Sequence, residues 1–303
     1  MAGYAAMARR LDSRHLRAAV RGIRAAPPDA PDHATDPALV DRLERPFEGV
    51  DDVYTRLNDL ESRLRAAGDR RAVFLTIYTR MTAAVRAAIA DGRFADPAWL
   101  RRYTVTFADH YRRALLSFER GDHDVVPGPW RVAFRTAVAG SALVAQDAFL
   151  GINAHITYDL ALALRDVGID PDRATKRADH DRIDGVLARL VDAQQAALVD
   201  LYAPGLSRID DTLGRFDEAL SLFSMTEGRA WAWLVATVLT DVPAAPARAA
   251  VHRFLEATAT GSARFVRSPP VDPAVVTALR RVERDRGGGA IDVLAASFDE
   301  HLA

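Results

Sequence analysis

Apolar residues recur at three- and four-residue steps along nearly the whole chain, and no sustained two-residue alternation asks for a strand. The pattern predicts an all-α fold. Helices are expected at about 36–45, 50–67, 70–91, 97–120 and 130–148, with an apolar continuation past Gly151 to about 165, and then at 178–202, 207–223, 226–241, 244–259, 272–285 and 290–301. Asp96-Pro97 reads as a helix start, because aspartate caps the first turn and proline suits its φ. Gly121 and Pro204-Gly205 read as stops, and Gly151 as a bend or division in an otherwise continuous helix. A first amphipathic helix within residues 1–25 leads into Pro27, Pro28 and Pro31, so residues 1–35 are expected to form an N-terminal arm and linker. Residues 36–303 then make one multi-helix, bundle-like domain, in which Pro269-Pro270 sets off a C-terminal helical pair from about 270.

Composition narrows the role. The 303 residues are 49% hydrophobic, enough for a sizeable core. Forty basic and 41 acidic side chains leave a formal net charge of -1, so no global field draws the chain to nucleic acid. A single lysine, Lys176, stands among those 40 basic residues, an arginine and alanine bias that fits a GC-rich genome better than phosphate recognition. Without cysteine, disulfides, thiolate metal sites and a cysteine nucleophile are all excluded, and any metal must be held by nitrogen and oxygen. Arginines interrupt the N-terminal residues too often for a secretory signal, and the expected location is cytoplasmic. Ala148–Leu164 is close to bilayer length but carries Asn153, His155, Thr157, Tyr158 and Asp159, so a core helix is expected there and no membrane span.

Chemistry concentrates on that helix. His155 and Asp159 lie four residues apart, hence on one face, with Ile152 and Leu162 beside them. A carboxylate in an apolar stripe must find a partner, because burying an unpaired charge costs several kcal/mol or more, roughly. The partner is His155 itself, an arginine from another helix, or a metal ion; a structural hydrogen-bond network is the plain alternative to a working site. His180 and Asp184 repeat the spacing on a second helix, and His252 and Glu256 on a third, where a surface pair is expected. Histidine–acid pairs on separate helices are how bundles present ligands to zinc or iron, and His155, Asp159, His180 and Asp184 are the candidate set. His110 and Tyr111 on an aromatic seam, with Trp130 and Trp231, are candidate walls of a substrate pocket. Phosphate loops, nucleophile elbows and His-Glu-x-x-His runs are absent from the sequence.

The string Gly151-Ile152-Asn153-Ala154-His155-Ile156-Thr157-Tyr158-Asp159-Leu160 resembles the central motif of the bacterial domain-of-unknown-function family 5995. Pro129-Trp130 with Ala133-Phe134, the segment Asp181 to Leu187, and Arg229-Ala230-Trp231 are similar to the same family's pattern, over roughly 40 to 240. Thr157 and Asp184 depart from it, each standing where the family pattern has asparagine. The resemblance implies a shared helical fold and a site at Asn153, His155 and Asp159, and adds Arg229 to the candidate pocket, but it implies no activity. A local likeness, confined to His-x-x-x-Asp on an apolar helix, is to the all-helical zinc-dependent phospholipases C. Three functions follow as expectations. The first is a metal-dependent hydrolase of a small or lipid-like ester, with a divalent zinc or iron ion activating water. The second is a metal-free isomerase or cyclase in which Asp159 orients His155 as an acid–base group beside an apolar cavity. The third is a helical binding or scaffold protein working through its arm and arginine-rich faces.

Overall fold

A computed structural model describes residues 13–24, 35–206, 225–269, 272–286 and 289–302. Among them every regular element is helical: α1 (Ser13–Arg24), α2 (Pro37–Glu44), α3 (Val50–Ala66), α4 (Ala72–Ala90), α5 (Pro97–Glu119), α6 (Gly128–Val138) and α7 (Val144–Ile152). A π-helical segment, Asn153–Asp159, joins α7 to α8 (Leu160–Val167). There follow α9 (Arg173–Leu206), α10 (Met225–Asp241), α11 (Ala245–Arg267), α12 (Pro273–Arg284) and α13 (Ala290–Leu302). The helix expected at 207–223 and the linker prolines Pro27, Pro28 and Pro31 lie outside the described residues.

Most boundaries follow from local chemistry. The Asp96 carboxylate accepts the Trp99 backbone N–H at 2.9 Å and Pro97 opens α5, as the sequence predicts. Asp36 caps α2 in the same way. Three expectations shift. The helix anticipated at 130–148 is two, divided around Gly140, whose φ of +57° is a left-handed turn that glycine adopts without strain. The break expected at Pro204-Gly205 does not fall there, because α9 runs to Leu206, and α11 continues to Arg267 rather than ending near 259. In α11 the residues past 259 continue the buried face, with Ala259, Ala263 and Val266 all buried, and this packing outweighs local propensity.

The π-segment and α8 run through the middle of the molecule, with α4, α5, α6, α10 and α11 packed around the chain from α7 to α8. Helix α4 is by length and composition apolar enough to cross a bilayer, yet most of it is buried inside this helical assembly. Gly151 stands one residue before the end of α7, where the chain passes into the π-segment; a Cβ there would meet the Phe74 ring at 2.5 Å, so its absence lets α7 and α4 close on one another. The C-terminal pair α12 and α13 packs along α9, and Glu283 of α12 accepts from the Val144 backbone N–H at 2.6 Å, tying the pair to the start of α7. The N-terminal helix α1 packs along α11, with Ala18 and Ala19 buried.

Charges are buried too, and they are paired. Arg71 and Glu119, 3% and 0% exposed in their side chains, form an ion pair joining α5 to the start of α4. Asp69 shares the same guanidinium. Replacing Glu119 by alanine leaves Asp69 as the guanidinium's acidic partner but removes one charged hydrogen bond and the acceptor of the Asp36 N–H, and is expected to cost roughly 1–3 kcal/mol in a urea titration. Arg86→Ala, which removes the exposed pair with Asp51 and the guanidinium over the Tyr54 ring, should stay within about 1 kcal/mol of the wild type.

Candidate functional site

Helix α5 sets a ladder of rings at four-residue steps, Trp99, Tyr103, Phe107 and Tyr111, and the ladder organises two polar centres. The first is His155 and Asp159, each 1% exposed. Residues four apart in an α-helix are about 40° past a full turn. The wider π-turn, whose backbone bonds reach five residues as from Leu160 N–H to His155 C=O, brings the two side chains closer to eclipsed. His155 Nδ1 meets Asp159 Oδ2 at 2.9 Å, and the Trp130 indole N–H donates to the same oxygen at 2.8 Å. Phe107 lies flat on the imidazole, with ring centroids 3.6 Å apart and planes 11° apart. Tyr78 and Phe74 of α4 abut it edge-on at 4.5 and 5.6 Å. The ring is thereby held on its face, its edges and Nδ1. His155 Nε2 is buried and finds no hydrogen-bond partner among the described residues.

Burial acts on the pair in opposite senses. Desolvation, with a smaller push from His110, holds the His155 imidazole well below its ordinary value, so it is uncharged at neutral pH. Desolvation also raises the Asp159 carboxyl well above the usual range, against the pull of the Trp130 N–H. A proton reaching Nε2 therefore need not create an imidazolium. The Nδ1 proton can pass along the 2.9 Å line to the carboxylate, and the pair then carries no charge instead of one negative charge.

The second centre is His180, also fully buried. Its Nε2–H donates to the Arg229 carbonyl at 3.1 Å and its Nδ1 accepts the Tyr103 hydroxyl at 3.0 Å, so both nitrogens are engaged. The Arg229 guanidinium pairs with Asp184 at 2.5 Å and donates to the His180 carbonyl. A cation thus sits where a metal ion would have to sit between His180 and Asp184. The four-ligand set expected from the sequence is not assembled, and among the described residues no three histidine or acidic side chains come together as metal ligands. At His155, Nδ1 and Asp159 Oδ2 are turned towards each other, which leaves Nε2 as the open nitrogen of the ring.

Two cavities meet the site. One, of about 70 Å³, is lined by His155, Arg229 and Tyr103 among aliphatic and aromatic side chains including Tyr78, Phe107 and Met81. The other, of about 750 Å³, lies among α1, α10, α11 and the π-segment. Ile152, Ile156 and Met225 line both and form their common wall. Asn153 faces the larger cleft; its Nδ2 donates to the Ala259 carbonyl at 2.9 Å, and its buried Oδ1 has no partner among the described residues. Trp231 lines the same cleft, stacked on His15 at 4.4 Å, its buried indole N–H likewise without a partner there.

Of the expected pocket residues, Arg229 and Trp231 line these cavities, and Trp130 acts through Asp159. His110 and Tyr111 line neither. His110 leaves the seam to bond Asp166 at 3.0 Å, and the Tyr111 ring packs between Trp130 and Phe74. His252 is no simple surface pair with Glu256: it meets the Tyr158 hydroxyl at 3.2 Å, while Glu256 accepts the Gly128 backbone N–H. Phe74, Tyr78 and Met225 escape a reading of the sequence, since nothing local marks them. The four-residue step between Phe74 and Tyr78 was the available signal.

The class these features define is an all-α protein built around a π-helical segment that buries a histidine–aspartate pair against an apolar cavity. The chain belongs to the family of unknown function DUF5995, whose model matches residues 50–269. No curated protein and no solved structure matches it.

Trp130→Phe keeps an aromatic ring, smaller than the indole, but removes the N–H that opposes the rise of Asp159. It should lower stability by roughly 1–3 kcal/mol in a thermal melt and shift the His155 Nδ1 resonance in nitrogen NMR. His180 gives a pH test of known sign. Burial, with Arg229 adding to it, depresses the folded value, so the unfolded chain binds the extra proton first. The stability His180 contributes is complete above about 6.5, the unfolded value, and is lost as pH falls through the folded one. Unfolding titrations between pH 7.5 and 5.5 should show a shallower loss in His180→Gln than in the wild type.

Proposed function

We propose that the protein is a metal-free acid–base enzyme, an isomerase or cyclase acting on a small apolar substrate, with His155 Nε2 as the proton-transferring atom. The observation that carries this reading is an imidazole nitrogen, buried and without a partner, on a ring that lines an apolar cavity and is oriented by a carboxylate at its other nitrogen. A neutral imidazole can accept a proton from carbon and return it to a neighbouring position, and Asp159 takes the Nδ1 proton meanwhile. Arg229, lining the same cavity, supplies positive charge for an enolate-like intermediate. The cavity is small, so the reacting group enters it while the rest of the substrate occupies the larger cleft across the Ile152, Ile156 and Met225 wall.

The test is solvent deuterium incorporation. The full chain is incubated in D₂O with a panel of enolisable ketones and lactones and followed by proton NMR. Exchange should occur on at least one member and fall by about 10²–10⁴ in His155→Gln. Asp159→Asn should lose exchange as well while staying within about 1 kcal/mol of wild-type stability, because an acid–base site is not optimised for folding. No exchange on any member, together with a stoichiometric divalent metal that His155→Ala loses, would overturn this reading in favour of a metal-dependent hydrolase.

A further inference from the structure

Helix α1 carries three different faces. At about 100° per residue, Ala18, Ala19 and Gly22 lie towards α11. The seam is so close that a Cβ on Gly22 would meet the Ala257 carbonyl oxygen, and one on Gly261 the Ala18 carbonyl oxygen. Neither glycine can be replaced without moving the helix off the body. A second arc, within about 60°, holds Leu16, Val20 and Ile23, which are 53%, 47% and 76% exposed. They make up three of the five large hydrophobic side chains exposed among the described residues. The third arc adjoins the second and holds Arg14, Arg17, Arg21 and Arg24, all exposed. No acidic residue occurs in α1, although the chain as a whole is nearly neutral.

An apolar stripe beside a row of arginines, on a helix whose remaining face is fixed to the protein, matches the surface of an anionic lipid bilayer. Apolar side chains enter the acyl boundary while guanidinium groups stay with the phosphates. A protein partner would satisfy the apolar stripe but would need its own acidic row in register; a membrane supplies negative charge without any register. We infer that α1 docks the protein on anionic membrane surfaces, lying in the interface without crossing it. Arg14, Arg17 and Arg21 also line the 750 Å³ cleft, so docking sets the mouth of that cleft at the lipid surface, where an apolar ligand is concentrated. The inference stands on α1 alone and is independent of the chemistry at His155.

Co-sedimentation of the full chain with vesicles tests it. Vesicles of phosphatidylglycerol and phosphatidylcholine in equal parts should carry the protein down, and vesicles of phosphatidylcholine alone should not. Binding to the mixed vesicles should be lost in the triple variant Leu16→Ser, Val20→Ser, Ile23→Ser. It should weaken about fivefold for each arginine removed in Arg17→Gln and Arg24→Gln, and fall as salt is raised. The arginine variants keep the test decisive if the triple variant does not fold. The inference is overturned if the wild type ignores the mixed vesicles, or if it sediments equally with both compositions. It is overturned too if the apolar stripe proves to join two copies of the chain, with size-exclusion chromatography showing a dimer that the triple variant loses and no vesicle binding.

Discussion

A carboxylate 1% exposed in an apolar core is the constraint around which this molecule is arranged. Asp159 is tolerable there only because one of its oxygens takes the Trp130 N–H and meets the His155 ring at the same time. Each partner needs its own support. Trp130 must be held by α6 against Tyr111 and Phe134, and the imidazole must be clamped by Phe107, Phe74 and Tyr78. The rings of three helices are therefore placed by one buried charge, and the close approach of α7 to α4 at Gly151 belongs to the same arrangement.

The π-segment is where backbone and chemistry meet. A widened turn forgoes regular α-helical bonding over Asn153–Asp159, and such turns are frequent at functional sites. It brings His155 over Asp159 and leaves Nε2 facing outward from the pair. A structural network would be expected to satisfy that last nitrogen, as the structure does at His180, where Tyr103 and Arg229 take both ring atoms. Two buried histidines with the same sequence spacing to an aspartate thus have opposite characters. At one, every polar atom is used; at the other, one is left open beside a cavity.

Arg229 links the two centres. Its guanidinium answers Asp184 and the His180 carbonyl, and its side chain also lines the chamber of His155. A positive charge held rigidly at the wall of an apolar space is strong there, because little water screens it. The exposed α1 and the buried π-segment line the same cleft.

The sequence by itself determined the helical class, the cap at Asp96, the family and the shared helix face of His155 and Asp159, because each depends on residues within a turn or two of one another. It could not determine which pair stayed open. His155/Asp159 and His180/Asp184 are indistinguishable by spacing, and only the tertiary structure put Arg229 beside one and a cavity beside the other. Tyr78 and Phe74 were likewise invisible, since an aromatic on an apolar helix looks the same whether it packs a core or clamps a buried imidazole. His110 and Tyr111 differ in the other direction: His110 points off the ladder to Asp166, and Tyr111, on the ladder one turn beyond Phe107, meets Trp130 and Phe74 instead of the cavity. Four-residue spacing fixes the face a side chain shares, whereas what that face meets depends on helices up to a hundred residues away, as with Asn153 and Ala259.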